Sequence, residues 1–285
     1  MVNKLLKIFL SALIILVLHS CSLAGSWVYE RIDNYISDYF KDFASFSAEQ
    51  NREIESISED FLDWFTLNEL PKIKVILEDL KKIDLGNSSY VIENTYEKGE
   101  KIVNGINDYF EKPIIDFSKG LSEEQIAQIG LHFEKLRKER EDRRSKEKKE
   151  YKERILDNYK SGFDRLGIKL NKDQLNLIET KLQNYNEIRK EWSDLQKSWI
   201  DEFLRILSTN RSDGYDERMT LYLRSLQDLG NEEFREKIEK NETLSLEILE
   251  SVLLTIDEKQ LRSFNRSLDV YLKSINRILA NRKVN

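Results

Sequence analysis

From Trp27 onward, apolar residues recur every three to four positions, with polar residues between them. Val28, Ile32, Tyr35, Tyr39 and Phe43 keep this spacing, as do Ile54, Ile57, Phe61 and Trp64. The most regular stripe is Leu261, Phe264, Leu268, Tyr271, Ile275 and Ile278. Another runs through Leu175, Ile178, Leu182, Tyr185, Ile188, Trp192, Leu195 and Trp199. Such stripes are the buried faces of amphipathic helices. No segment alternates convincingly with the period of a strand, and Asp213-Gly214 is flanked by charge rather than by strands. The pattern predicts helices over 27–43, 47–67, 70–83, 89–117, 122–166, 171–208, 214–229, 232–254 and 257–281. The expected fold is all-α: an elongated multi-helix bundle of antiparallel helical hairpins. Pro71 fits the first turn of its helix or kinks a longer one, and Pro113 is expected to kink the helix that holds it.

A start signal recurs four times. Phe46-Ser47-Ala48-Glu49-Gln50 is echoed by Leu121-Ser122-Glu123-Glu124-Gln125, by Leu170-Asn171-Lys172-Asp173-Gln174 and by Ile256-Asp257-Glu258-Lys259-Gln260. Each reads apolar, cap, two spacers, Gln. The cap oxygen accepts a first-turn N–H, and the glutamine reaches back to the cap. Ile126, Leu175 and Leu261 follow three of the copies and are placed to staple onto the apolar residue before the cap; the first copy has Asn51 there. Gly120 and Gly167 precede two copies, where the previous helix needs a stop. The irregular spacing between copies speaks against a strict solenoid.

The segment 122–166 differs in character. Between Glu134 and Arg154 there are eleven basic and seven acidic residues, and Leu136 and Tyr151 are the only apolar or aromatic ones. Opposite charges sit four apart at Glu134/Lys138, Lys135/Glu139, Glu139/Arg143, Asp142/Lys146, Lys146/Glu150 and Glu150/Arg154. Each such pair stabilises a helix by about 0.2–0.5 kcal/mol. A single helix here would be about 65 Å long. The expectation is a charged hairpin arm over about 122–208 that leaves the core and returns along 171–208. Its basic surplus suits either plain solvation or contact with anionic lipid or an acidic partner.

Composition narrows the chemistry. The chain has 285 residues, and its 10 glycines and 2 prolines are too few for a turn-rich β fold. The net charge of −6 does not suit a general nucleic-acid binder, so no nucleic-acid partner is expected. The single cysteine, Cys21, excludes an internal disulfide and a CxxC site. The histidines are His19 and His132, and His19 falls in a segment expected to be removed. One remaining histidine rules out a two-histidine zinc site, and His132, in the apolar stretch 129–133, reads as the edge of a packed helix face. No catalytic, cofactor-binding or metal-ligating residue stands out.

The N-terminus carries the most specific signal. Lys4 and Lys7 precede an apolar run from Ile8 to Leu18, broken only by Ser11. The run is too short to cross a bilayer comfortably and reads as a secretory signal peptide. Leu18-His19-Ser20-Cys21 then resembles a bacterial lipobox. The resemblance implies cleavage before Cys21, a diacylglyceryl group on its thiol and usually an acylated (palmitate-type) amine. Ser22 in the next position implies the periplasmic face of the outer membrane in a Gram-negative host, or the cell membrane in a Gram-positive one. The organisation read from these signals is a signal peptide over 1–20, a lipidated tether over 21–26 and an all-helical domain over 27–285. Losing Lys4 and Lys7 with the leader takes the net charge from −6 to −8.

The lipobox, the aromatic first helix, the Phe-Ser-x-x-Gln start and the segment Trp64…Glu69-Leu70-Pro71 together resemble a family of uncharacterised helical bacterial lipoproteins. That resemblance implies location and fold but no activity. The apolar-Ser/Thr-x-x-Gln starts are also similar to those of Spy- and CpxP-type periplasmic chaperones, although only Ser47 and Ser122 fit the Ser/Thr position and the chain is about twice their size. The resulting expectation is a membrane-tethered, non-enzymatic binding, scaffold or chaperone-like protein with partners or clients in the envelope. An envelope hydrolase using two of the 52 acidic residues and a purely structural lipoprotein are the alternatives. Tyr185, Trp192, Trp199 and Phe203 are either core or a partner-binding face.

Overall fold

A computed structural model describes residues 29–83, 88–146, 150–225 and 230–282. Within them the chain forms eleven helices and no strand. In chain order these are α1 (Ile32–Lys41), α2 (Ala48–Asn68), α3 (Leu70–Leu80), α4 (Ser88–Lys119), α5 (Glu123–Lys146) and α6 (Tyr151–Arg165). They are followed by α7 (Lys172–Leu182), α8 (Arg189–Leu207), α9 (Tyr215–Arg224), α10 (Glu232–Leu253) and α11 (Glu258–Arg282). The all-α multi-helix bundle is therefore the observed fold. The leader, Cys21 and the tether lie outside the described residues.

The main core gathers α1, α2, α3, α4, α6, α7, α10 and α11. The stripe on α11 is buried from Phe264 onward, with Phe264, Leu268, Tyr271, Ile275 and Ile278 pointing inward, whereas Leu261 at its start is exposed. Burying a residue of this kind contributes about 1.5–3 kcal/mol. A second cluster joins Phe43, the end of α4, α5, α8 and α9, with Met219 fully enclosed. A third, smaller one packs Ile188, Trp192 and Leu195 of α8 against Phe234 and Ile238 of α10.

Two long helices read from the sequence are each divided. The expected 122–166 helix is α5 and α6, with Glu150 in extended conformation at the N-cap of α6. The expected 171–208 helix is α7 and α8, separated by a turn over 183–188. The chain does double back, since α5 packs on α8 and α6 on α7. It is not a free arm, however, because Leu156 and Phe163 of α6 enter the main core. The turn at 183–188 persists because α10 supplies its hydrogen bonds. Buried Asn241 accepts from the Asn186 N–H at 2.8 Å and donates to the Asn186 carbonyl at 2.9 Å. A side chain thus takes the place of the helical partners that the turn gives up.

Proline and glycine mark other boundaries. Pro71 sits in the first turn of α3, directly after the break at Glu69. Pro113 lies inside α4, which runs through it without interruption. Gly167 ends α6 at φ +79°. Its N–H bonds to the Asp164 carbonyl at 2.9 Å, and the Ile168 N–H bonds to the Phe163 carbonyl at 2.8 Å. These two bonds form a Schellman stop, closed by contact between buried Phe163 and Ile168. Gly120 does not share this geometry, since among the described residues the positive-φ positions are Gly167, Gly214 and Gly230.

A Cβ on Gly167 would lie 2.5 Å from Ser267 Oγ and 2.7 Å from the Ser263 carbonyl of α11. Gly167→Ala should therefore destabilise the protein by about 2 kcal/mol or more, combining left-handed strain with the clash. Gly99→Ala, within α4 and with nothing inside 4 Å, should instead stabilise by about 0.5–1 kcal/mol. Urea unfolding of both variants tests the pair. Equal effects would contradict this account of Gly167.

Candidate functional site

The four recurring starts are where distant parts of the chain meet. All four boxes are formed. The glutamine Oε1 accepts the cap N–H at 2.9 Å for Ser47 and at 3.0 Å for Ser122, Asn171 and Asp257. Each cap oxygen in turn accepts the glutamine N–H at 2.7–3.2 Å. At Asn51, where an apolar staple is missing, the side-chain Nδ2 donates to the Phe46 carbonyl at 3.2 Å. Leu121 and Ile126 of the second copy are both buried in the second cluster.

The boxes associate in pairs. Gln50 of α2 faces Gln125 of α5, and Gln174 of α7 faces Gln260 of α11. Gln174 Nε2 donates to Gln260 Oε1 at 3.2 Å, and Gln260 Nε2 donates back to Gln174 Oε1 at 2.9 Å. In the other pair the two distances are 3.1 and 2.7 Å. Each amide's second N–H reaches across to the partner box, to the carbonyl two residues before its cap. Gln50 takes Gly120, Gln125 takes Ser45, Gln174 takes Thr255 and Gln260 takes Lys169, at 2.7–3.2 Å. Each pair is consequently pseudo-two-fold, and every donor and acceptor of the four amides is used.

The pairs differ in burial. Gln174 and Gln260 are buried in the body, whereas Gln50 and Gln125 are half-buried. Bringing two helix N-termini together opposes their partial positive charges, and the acidic first turns offset this: Glu49 with Glu123 and Glu124 in one pair, Asp173 with Glu258 in the other. Around the outer pair, buried Asn210 donates to the Ser118 and Leu121 carbonyls at 2.7 and 3.0 Å. Ser118 Oγ also meets Tyr215 Oη at 2.6 Å.

The aromatic residues of the 185–203 segment do not form one face. Tyr185 packs on the main core and pairs with Ser245 at 3.2 Å. Trp192 stacks on Phe234, and Trp199 stacks between Phe203 and Tyr222 with centroids 5.3 and 5.2 Å away. His132 is half-buried on α5 with its ring 4.2 Å from that of Phe43.

Potential reactive groups are few among the described residues. Glu69, at the α2–α3 break, is the one buried carboxylate, and its Oε1 accepts from Lys72 at 2.7 Å. No group of three or more His, Cys, Asp or Glu side chains is arranged to hold a metal among the described residues. No described helix is long and apolar enough to cross a membrane. An open depression of about 560 Å³ at the start of α9 is lined by Lys119, Arg211, Asp213, Asp216 and Glu217 among others, a mixture of charges that selects no ligand. Burial raises the Tyr29 hydroxyl to about 12 despite its bond to Thr66, in keeping with a structural role.

The fold and these paired caps define a helical protein organised around helix-start contacts. The chain belongs to the family of unknown function DUF6279, whose model matches residues 42–235. The matched region holds the whole outer pair and one half of the inner pair. No curated protein and no solved structure matches the chain.

Glutamate satisfies a capping box as well as glutamine does, but it lacks the N–H groups that cross between boxes. Gln174→Glu should therefore keep the local cap and still cost about 2–4 kcal/mol, because Gln260 Oε1 and the Thr255 carbonyl lose their donor. Lys172→Glu, on the same first turn but outside the pair, should have almost no effect. Chemical denaturation distinguishes the two, and a neutral Gln174→Glu would show that the pairing contributes nothing.

Proposed function

We propose that this chain is a lipid-anchored helical protein of the bacterial envelope that acts by binding other envelope proteins, as a scaffold or chaperone-like holder, rather than by catalysis. The observation that carries this reading is Leu18-His19-Ser20-Cys21 at the end of an apolar leader, a few residues before the helical body begins. Two acyl chains suffice for stable anchoring. The tether is short, so the body would sit against the membrane with α1 nearest to it. Large apolar side chains left outside the cores support a binding role: Tyr35 on α1, Tyr90 on α4, Leu131 on α5 and Leu221 on α9. The glutamine-bearing starts add support through their similarity to those of periplasmic helical chaperones. In this chain the same residues also hold the structure together.

One experiment tests anchor and binding together. A photo-reactive residue at position 131 should capture envelope proteins, either one partner or a set that grows under unfolding stress. In the Cys21→Ala background the chain should lose palmitate labelling and leave the membrane fraction, and the adducts should fall with it. Labelling that survives Cys21→Ala would overturn the anchor. A chain that stays membrane-bound through Cys21 but captures no protein would overturn the binding role.

A further inference from the structure

The junction of α2 and α3 carries an apolar stripe on its outer side. Leu67 is 62% exposed in the last turn of α2, and Val75 is 44% exposed on α3. Neither belongs to a core cluster, and half-buried Pro71 lies between them. Helical hydrogen bonds run through the junction. The Glu69 N–H donates to the Phe65 carbonyl at 2.9 Å, and the Ile73 N–H donates to the Glu69 carbonyl at 3.1 Å. Residues 67, 71 and 75 therefore keep helical spacing and share one side. The other side is buried in the main core through Phe65, Leu70, Ile73 and Leu77. The charges beside the stripe are paired, Lys72 with Glu69 at 2.7 Å and Lys74 with Glu78 at 3.7 Å.

The chain enters the body at this same junction. Tyr29, the first described residue, is buried, and its hydroxyl meets that of Thr66, the neighbour of Leu67, at 2.7 Å. Arg282 brings the end of α11 to the same place by pairing with Asp63, one turn before Leu67. Eight residues separate Cys21 from Tyr29, a reach of at most about 26–29 Å. Val75 lies about 12 Å beyond Leu67 along the helix. Lipid held at Cys21 is thus kept near the whole stripe. We propose that Leu67, Pro71 and Val75 form the face by which the body rests on the lipid surface that holds Cys21, their side chains entering between the headgroups. This inference rests on the lipid anchor proposed above. Three side chains are too little apolar area to hold a free protein on a membrane. For an anchored chain the contact is intramolecular, and the short tether supplies the effective concentration. The paired flanking charges and the net charge of −6 offer no attraction to anionic headgroups, so the contact depends on apolar insertion.

Lipid capture tests this face. The full chain is produced in a bacterium with a benzophenone side chain at position 67 or, as the control, at position 221, where Leu221 is 71% exposed on α9. It is purified from the membrane fraction and reconstituted into phosphatidylcholine vesicles with or without phosphatidylglycerol. On irradiation, position 67 should gain the mass of a phospholipid about five-fold more often than position 221, and equally in both kinds of vesicle. Val75→Asp, at an exposed position, should lower capture at 67 about three-fold while the chain stays on the vesicles. Capture at 67 no greater than at 221, capture unchanged in Val75→Asp, or capture that needs phosphatidylglycerol would overturn the face. A chain recovered only from the soluble fraction would refute the anchor instead. Coupling Cys21, the only cysteine, to a maleimide phospholipid then supplies the tether, and the same comparison of 67 with 221 decides the face.

Discussion

Four side-chain amides hold this structure in register, because each works in two directions. The carbonyl end of each glutamine closes its own helix start, and the N–H end closes another that lies 75 or 86 residues away in the chain. A capping box by itself is a local device worth about 1 kcal/mol. Paired, the boxes become long-range links whose geometry leaves no freedom of register: the amides exchange two hydrogen bonds and each reaches the same backbone position of its partner. Such a network is stable only when complete, because a missing donor leaves buried acceptors unsatisfied on the opposite helix.

The two pairs serve different regions. The inner pair joins α7 to α11 within the main body, and the outer pair joins α2 to α5 where the body meets the second cluster. α2 lies in both settings, because its first residue follows the outer cap and its last turns enter the main core. Similar economy governs the turn between α7 and α8. There Asn241 substitutes for helical hydrogen bonds, so α8 can leave the line of α7 and pack against α5 and α9.

Local features of this fold are legible in the sequence, and non-local ones are not. The helical stripes, the four caps, the stop at Gly167 and Pro71 in a first turn all depend on residues within one or two turns of each other. The pairing of the glutamines is invisible at that range, since a cap of the form Ser-x-x-Gln reads the same whether or not another faces it. The hint was the choice of Gln in all four copies where Glu would cap as well. The boundary at Glu150 and the turn at 183–188 escape for a related reason. Charge spaced by four continues through the first, and the apolar stripe continues through the second from Tyr185 to Ile188. The second break is stabilised from α10, by a side chain 55 residues away. The hydrogen bond from Arg140 of α5 to Gln196 of α8, at 3.0 Å, is equally non-local: the sequence identifies a charged segment but not what it packs against.

Hydrogen exchange at the cap amides tests the central claim most directly. The N–H groups of Asn171 and Asp257 belong to helix starts, positions that ordinarily fray and exchange quickly. If the paired glutamines join the two starts into one unit, both amides should exchange only through global unfolding and at matching free energies. Fast exchange at either one, or clearly different free energies at the two, would show that the boxes act as separate local caps and that the links described here do not hold the fold.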